Sequence, residues 1–128
     1  MKAVIPVQMY TSVPAYSAAD LQQCIRACMD AVYQCERSIT RLMLEGDDDQ
    51  YADCVKACRD CALMCAMCVK VVERGSIVML DMCEICTETC QQCALECTRC
   101  NRPACDRCAA ACQRCAEVCL ALLAKAAA

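Results

Sequence analysis

Several residue types that commonly carry catalysis or build a core are missing from this chain of 128 residues. It has no histidine, no phenylalanine and no tryptophan, with only 2 glycines and 3 prolines. The absence of histidine excludes imidazole bases, Ser-His-Asp and Cys-His catalytic pairs, and imidazole metal ligands. No apolar run approaches the roughly 18 residues of a membrane span. We therefore expect neither a histidine-dependent enzyme nor a membrane protein.

Charge and the N-terminal segment bear on partners and location. The formal net charge is -3 and the pI is about 4.9, which argues against a surface that binds nucleic acid. Met1–Tyr10 carries one lysine and a short apolar stretch broken by Pro6 and Gln8, a poor match to a secretory signal. We expect a cytoplasmic protein with an N-terminal extension at 1–16 and one domain at 17–128. Thiols stay reduced in that compartment.

Cysteine is the residue in excess. The chain has 19 cysteines, about 15 % of its residues, where 8–10 % already marks an unusual composition. Leucine, isoleucine and valine together make up about 19 %, less than an ordinary core requires. The net charge is too small for self-repulsion to keep the chain disordered. If the chain has a core, cysteine must build much of it.

The cysteines follow two alternating spacings. Cys-x2-Cys and Cys-x3-Cys each occur seven times, and steps of three and four add up to the seven-residue repeat of one helix face. A strand would place successive members on both faces, so the spacing predicts helices. The candidate metal ligands are Cys24, Cys28, Cys35, Cys54, Cys58, Cys61, Cys65, Cys68, Cys83, Cys86, Cys90, Cys93, Cys97, Cys100, Cys105, Cys108, Cys112, Cys115 and Cys119.

Helix-boundary residues divide the chain into four segments. Ser17-Ala18-Ala19-Asp20 resembles a capping box, Gly46 is a candidate C′ glycine, and the second helix is expected to end at Arg74-Gly75. Further signals are Asp47, Asp48 and Asp49 as N-cap candidates for the second helix, Ser76 as the cap of the third, Asn101 as a left-handed stop and Pro103 as the first residue of the fourth. Short connections make neighbouring helices antiparallel, so we expect an all-α, up-down-up-down antiparallel four-helix bundle with inward-facing cysteines.

Helical wheels separate an inner from an outer face. All cysteines fall on the inner face, and charged residues fall elsewhere, such as Lys56, Arg59, Glu88, Arg99 and Arg114. The inner face also carries Leu21, Ala31, Ile39, Leu42, Val72, Met79 and Leu122. On the outer face of the second helix, Leu63, Met67 and Val71 form an apolar stripe, which predicts contact with another subunit.

Two explanations without metal fit this pattern poorly. Cysteine can serve as a small buried hydrophobe, but valine or leucine would bury more apolar surface at each site. A disulfide scaffold would leave at least one of 19 thiols unpaired, and cysteines three or four apart on a helix have nearly parallel Cβ vectors. Metal binding remains as the explanation for the row of thiols.

Three metals suit a thiol-lined axis. Zinc takes four thiolates in a tetrahedron, so 19 thiolates would hold about four or five ions. Iron–sulfur clusters use sets of four cysteines, but the Cys-x2-Cys-x2-Cys-x3-Cys-Pro pattern is absent. Cu(I) is soft, selects thiolates and accepts two or three of them. Nineteen Cu(I) ions replacing nineteen protons leave the net charge at -3, which favours a loading that approaches one Cu(I) per cysteine.

These residues resemble the bacterial copper storage proteins, in particular their cytosolic branch. The similarity covers roughly residues 18–123. It is most specific over Cys83 to Cys119, with Arg74-Gly75-Ser76 before it and the ending Cys105-x2-Cys108-x3-Cys112-x2-Cys115-Ala116-Glu117-x-Cys119. The resemblance implies a four-helix bundle that stores many Cu(I) ions on inward cysteines, assembled as a homotetramer, and it assigns all 19 cysteines as ligands.

The chain departs from these proteins at one end of the bundle. Relatives often carry histidines where the third helix ends and the fourth begins, whereas this segment has Cys100 and Cys105 and no histidine. We predict that Cu(I) enters there, with Met43 either passing it on as a thioether ligand or filling the core. The opposite end is expected to be plugged by Leu21, Val72, Met79, Met82 and Leu122.

The leading functional hypothesis is cytosolic storage and detoxification of Cu(I) by a protein that is not an enzyme. One alternative is a zinc or mixed-metal buffer of metallothionein type. A second is an electron carrier with Fe–S clusters. A copper chaperone would need only one exposed Cys-x2-Cys, far fewer thiols than this chain provides.

Overall fold

The computed structural model describes residues 15–46 and 49–127. It contains four α-helices: α1 (Ala18–Glu45), α2 (Ala52–Arg74), α3 (Met79–Cys100) and α4 (Pro103–Ala127). Each helix packs against the next along the chain, and α1 also packs against α4, which closes the bundle. Cys24 at the start of α1 contacts Cys119 near the end of α4, as antiparallel packing of these helices requires. The predicted four-helix bundle is confirmed.

The capping box predicted at the start of α1 is confirmed. The backbone N–H of Asp20 donates to Ser17 Oγ at 3.2 Å, and the backbone N–H of Ser17 donates to Asp20 Oδ2 at 2.8 Å. Two of the backbone donors left unpaired at this helix end are thereby satisfied. Asp20 also pairs with Lys125 Nζ at 2.7 Å, which ties the end of α4 to the start of α1.

The connection between α1 and α2 differs from the prediction. Helix α1 ends before Gly46 as expected, but Gly46 has φ −142° rather than a left-handed conformation. A Cβ on Gly46 would collide with the ring of Tyr51, so glycine is needed there for close approach and not for a positive φ. Asp49 as the N-cap of α2 was wrong, because α2 begins only after Tyr51, which makes no side-chain cap hydrogen bond. Asp47 and Asp48 lie outside the described residues.

The remaining helix ends follow the sequence signals with one exception. Gly75 has φ 60° and Asn101 has φ 53°, the left-handed conformation that stops a helix, and α4 begins at Pro103. Ser76 as the cap of α3 was wrong, because α3 begins at Met79 with Val78 as its N-cap. The Ser76 hydroxyl accepts the Val78 N–H at 3.2 Å within the connecting turn instead.

Cysteine fills the core of the bundle, as the composition predicts. Eighteen cysteines are buried and Cys100 is half-buried. Small alanines such as Ala31, Ala62 and Ala94 complete the packing between them. In the described part of the chain, no helix combines the length and the apolar character needed to cross a bilayer. The division at residue 16 stays a prediction, since residues 1–14 are not described.

Candidate metal centre

The cysteine sulfurs form a column along the bundle axis. Each helix contributes one inward row, because steps of three and four residues return to the same helix face. Neighbouring sulfurs from different helices lie close to one another, from 3.5 Å between Cys65 and Cys90 to 4.0 Å between Cys24 and Cys119. All the charged residues named for the outer face are exposed. The column is therefore lined by sulfur, with the charges outside it.

One end of the column, which we term the closed end, is sealed by apolar side chains. Val72, Met79, Met82 and Leu122 are buried there and Leu21 is half-buried, as predicted. The first sulfur layer beneath them brings Cys24 near Cys119 at 4.0 Å and Cys68 near Cys83 at 3.9 Å. The predicted plug is confirmed.

The shortest contacts lie in the middle of the column. Cys61 Sγ is 3.6 Å from both Cys90 Sγ and Cys112 Sγ, and Cys65 Sγ is 3.5 Å from Cys90 Sγ. In α1, the fully buried Ala31 takes the inward-facing position between Cys28 and Cys35. The central thiols therefore come mainly from α2, α3 and α4.

The opposite end, which we term the open end, is where the α3–α4 turn lies. Cys54 Sγ contacts Cys97 Sγ and Cys105 Sγ, each at 3.8 Å. Cys100 lies at the outer limit of the column and is half-buried, unlike the other eighteen cysteines. Thiol access from solvent is therefore greatest at Cys100.

Groups of four sulfurs recur along the column. In each group the sulfurs all lie within 4.8 Å of one another, and several of the groups share members. The groups include Cys24–Cys28–Cys68–Cys119, Cys28–Cys86–Cys115–Cys119, Cys65–Cys86–Cys90–Cys115, Cys35–Cys61–Cys93–Cys112 and Cys35–Cys58–Cys93–Cys108. Contacts such as those of Cys61 with Cys65 at 3.8 Å and with Cys90 at 3.6 Å link groups that share no member, so the column is one continuous ligand array rather than a series of separate sites.

Hydrogen bonds between thiols couple their protonation. The pKa of Cys61 is lowered, mainly by its hydrogen bond with Cys112, and the pKa of Cys35 is raised, mainly by its hydrogen bond with Cys108. At the open end, burial raises the pKa of Cys100. Thiols this close titrate as a set rather than one by one. A cation that replaces protons relieves the cost of placing several thiolates together.

Three residues other than cysteine also lie near the open end, namely Met43, Tyr51 and Arg102. Met43 is exposed over 56 % of its surface and its Sδ lies 4.0 Å from Arg59 Nη2, so the core-filling interpretation of Met43 was wrong. Tyr51 and Arg102 were not anticipated. They meet across the open end, with the Arg102 guanidinium 5.9 Å from the centre of the Tyr51 ring. No heptad signal marks these two residues, because both lie in connections between helices.

Two of the three residues predicted to form an outer apolar stripe on α2 are exposed. Leu63 is 57 % exposed and Met67 is 46 % exposed, and Val71 is half-buried. Leu63 and Met67 lie on the face of α2 opposite its cysteines, whereas Val71 packs against the buried core. Leu63 and Met67 therefore form a small apolar surface outside the sulfur column.

Comparison with known proteins places this site in a family. The chain is 33 % identical over 103 residues, which is 80 % of this chain and 95 % of the relative, to the uncharacterized cysteine-rich protein YhjQ of Bacillus subtilis strain 168. The structure is similar to that of the Cu(I)-bound copper storage protein BsCsp3, with a TM-score of 0.77, 32 % identity and coverage of 81 % of this chain and 98 % of that one.

A second solved structure and a family profile agree with this match. Apo copper storage protein 3 from Bacillus subtilis gives a TM-score of 0.73 at 33 % identity, over 80 % of this chain and 97 % of that one. The profile of the copper storage proteins matches residues 17–124, a span that contains all four cysteine rows. The chain therefore belongs to the copper storage protein family.

Proposed function

We propose that this chain stores Cu(I) inside its helix bundle, bound by the thiolates of all 19 cysteines. The observation that carries the proposal is the continuous column of buried sulfurs, in which several groups of four share members and sulfur contacts of 3.5 to 4.0 Å link the groups. Soft thiolates select Cu(I). The similar copper storage protein BsCsp3 has been solved in its Cu(I)-bound form. As a member of this family, the chain is a metal store and not an enzyme.

Charge balance supports a loading that approaches one Cu(I) per cysteine. Each Cu(I) that displaces a thiol proton leaves the charge of the buried column unchanged. Divalent ions at the same loading would add a large positive excess in a region of low polarity. The overlapping sulfur groups allow each thiolate to bridge two ions. If each ion also takes two sulfurs, the ratio of ions to sulfurs approaches one.

The second candidate function is a zinc buffer that binds through thiolates. The groups of four neighbouring sulfurs support it. Four sulfurs within 4.8 Å of one another can also hold one tetrahedral Zn(II). Separate tetrahedral sites would use each sulfur once and limit the chain to about four ions. Sulfurs that belong to two groups suit Cu(I) better than Zn(II), because Cu(I) accepts bridging thiolates and low coordination numbers.

A competition titration distinguishes these functions. The fully reduced metal-free chain is titrated anaerobically with Cu(I) in the presence of a chromophoric chelator, and in parallel with Zn(II). We expect the chain to retain Cu(I) against the chelator until loading nears its cysteine count. Saturation at one or two ions would indicate a chaperone. Failure to compete for Cu(I), together with tight uptake of about four Zn(II) ions, would refute copper storage, and acid-labile sulfide in the purified protein would favour Fe–S clusters.

We further propose that Cu(I) enters at the open end, where Cys100 is the most accessible thiol of the column. The apolar plug at the closed end leaves no comparable thiol near solvent. Replacing Cys100 and Cys105 together by alanine is expected to slow Cu(I) uptake in stopped-flow measurements, because the first acceptor thiols are lost. The matched control replaces Cys24 and Cys119 at the closed end. An unchanged uptake rate in the first variant would contradict this assignment.

Location and assembly complete the proposal. A cytosolic site of action suits a protein whose thiols must stay reduced to bind Cu(I). Exposed Leu63 and Met67 on the outer face of α2 support association with further copies of the chain, because exposed apolar side chains on one helix face favour a subunit contact. A homotetramer is the assembly that we propose, and sedimentation equilibrium of the purified chain tests it.

A further inference from the structure

Arg102 connects three parts of the bundle at the open end. It lies in the α3–α4 turn, between the left-handed Asn101 and the first residue of α4. Its Nη2 donates to Glu45 Oε2 at 3.1 Å, and Glu45 is the last residue of α1. Its guanidinium also lies 5.9 Å from the centre of the Tyr51 ring, and Tyr51 directly precedes α2. The Arg102 side chain, from the α3–α4 turn, therefore connects the end of α1 with the start of α2.

The Tyr51 ring is held in a fixed position next to this guanidinium. Only 8 % of Tyr51 is exposed, and the ring lies against Gly46, where any side chain larger than hydrogen would collide with it. A cation near an aromatic ring gains electrostatic stabilisation from the ring. The ring is held in place by its burial, so it can hold Arg102 over the open end.

Arg102 also follows the outermost thiol of the column closely in the chain. Cys100 is the last residue of α3, and Arg102 is two residues further on, directly before α4. The side chain is partly exposed, with 41 % of its surface accessible. Arg102 is therefore partly exposed in the turn that directly follows the most accessible cysteine, Cys100.

We propose that Arg102 is a positioning residue that, together with Glu45 and Tyr51, forms a clasp over the open end and sets the rate of Cu(I) exchange without changing capacity. This inference rests on the proposed storage of Cu(I) and on its passage through the open end. The clasp offers no soft ligand of its own, because arginine, glutamate and tyrosine carry neither sulfur nor imidazole. It controls access to the thiols and does not itself bind the metal.

The contacts of Arg102 are weak enough for the clasp to open and close. The Arg102–Glu45 pair has 41 % and 35 % of its side-chain surfaces exposed, and exposed ion pairs of this kind are weak. The covered form is therefore favoured only modestly, and the uncovered form is populated at equilibrium. Exchange through the open end depends on the population of the uncovered form, so weakening the clasp must speed both uptake and removal.

The test measures the rates of Cu(I) transfer in both directions with the intact chain. Loaded protein is mixed with excess bathocuproine disulfonate, an anionic chelator, and metal-free protein is mixed with the Cu(I) complex of the same chelator. We expect Arg102→Ala to speed both processes about tenfold, which corresponds to about 1.4 kcal/mol. Total capacity and the melting temperature of the metal-free chain should stay close to those of the unmodified protein.

A matched control removes the same charge without touching the clasp. Arg99 lies in the last turn of α3, three residues before Arg102, and the partner of its guanidinium is Glu96 on its own helix. Arg99→Ala is therefore expected to leave both rates unchanged. Equal rates for Arg99→Ala and Arg102→Ala, whether changed or unchanged, would overturn the clasp.

A third variant distinguishes physical covering of the open end from electrostatic attraction of the anionic copper complex. Glu45→Gln keeps Arg102 but removes its ion-pair partner, so a clasp predicts faster exchange, as in Arg102→Ala. If the guanidinium instead attracted the anionic copper complex, Arg102→Ala would slow uptake while Glu45→Gln sped it, and the clasp would be wrong. Arg102→Lys can still pair with Glu45 and is expected to restore rates close to those of the unmodified chain.

The outcome for the clasp is distinguishable from the outcome for storage. An unmodified chain that fails to retain many Cu(I) ions refutes the storage function itself, whatever the variants do. An unmodified chain that retains them, with identical rates in all variants, refutes only the clasp.

Discussion

Saturation with Cu(I) is expected to raise the melting temperature of the chain by about 20 °C or more, while the metal-free chain is already helical. The thiols are aligned before metal arrives, with sulfur contacts of 3.5 to 4.0 Å along the column. The folded form therefore binds many ions without rearranging its helices. Each ion bound preferentially to the folded state adds to the free energy of unfolding.

The size of this effect follows from linkage. A single site at a thousandfold excess of free ligand over Kd stabilises a protein by about 4 kcal/mol. For a chain of this size, each kcal/mol corresponds to about 3–5 °C in melting temperature. Unfolded thiols also bind Cu(I), which cancels part of the gain. About 20 °C is therefore well below the sum over all sites.

The metal-free chain has its own sources of helical stability. The capping box at Ser17 and Asp20 and the left-handed stop at Gly75 do not depend on metal. Buried Leu42, Val72 and Leu122 pack in the core without it. This distinguishes the bundle from zinc fingers, which unfold when the metal is removed.

Circular dichroism checks both parts of this prediction. Spectra and melting curves are recorded for the reduced metal-free chain, for the Cu(I)-loaded chain and for the loaded chain after removal of copper by a chelator. The third sample is the control and should regain the lower melting temperature. A random-coil spectrum for the metal-free chain would overturn the claim that the bundle forms before the metal binds.

Removing two central sulfurs is expected to cost more than two Cu(I) ions. Cys65 lies within 4.0 Å of three other sulfurs, those of Cys61, Cys86 and Cys90. Cys90 in turn contacts Cys61 and Cys86. In a bridged array each central thiolate serves more than one ion, so the Cys65→Ala, Cys90→Ala variant loses ions that neighbouring sulfurs alone cannot hold.

The control for this prediction removes two sulfurs from the closed end. Cys24 and Cys119 contact each other at 4.0 Å and lie in the terminal layer, beside the apolar plug. Their replacement by alanine is expected to cost no more than two ions. Capacities are compared by the same chelator competition, with circular dichroism to verify that both variants remain helical. Equal losses from the two pairs would indicate independent sites rather than a bridged column.

The positions of the cysteines were predictable because helical periodicity is a local property. A three-and-four spacing places side chains on one face of a helix whatever the helix packs against. Four such rows with short connections leave antiparallel packing as the simple way to bury them. The inward direction of Cys61 and Cys112, and the apolar closed end with Leu122, could therefore be predicted before the structure was known.

The connections between helices were less predictable, because packing competes there with local propensity. Asp49 is a favourable N-cap by residue type, yet α2 starts after Tyr51, whose ring is buried against Gly46. Ser76 is likewise a favourable cap, but its hydroxyl binds Val78 inside the turn. In both cases a contact formed elsewhere in the turn determines where the helix begins.

The sequence by itself determined that four helices each present one row of thiols, since residue spacing defines a helix face. Only the tertiary structure decided which sulfurs from different rows meet, because this depends on how far each helix is shifted along its neighbours. It also decided what covers the open end. Arg102 and Glu45 are 57 residues apart in the chain, and no local pattern links them. They meet because antiparallel packing brings the end of α1 to the turn between α3 and α4.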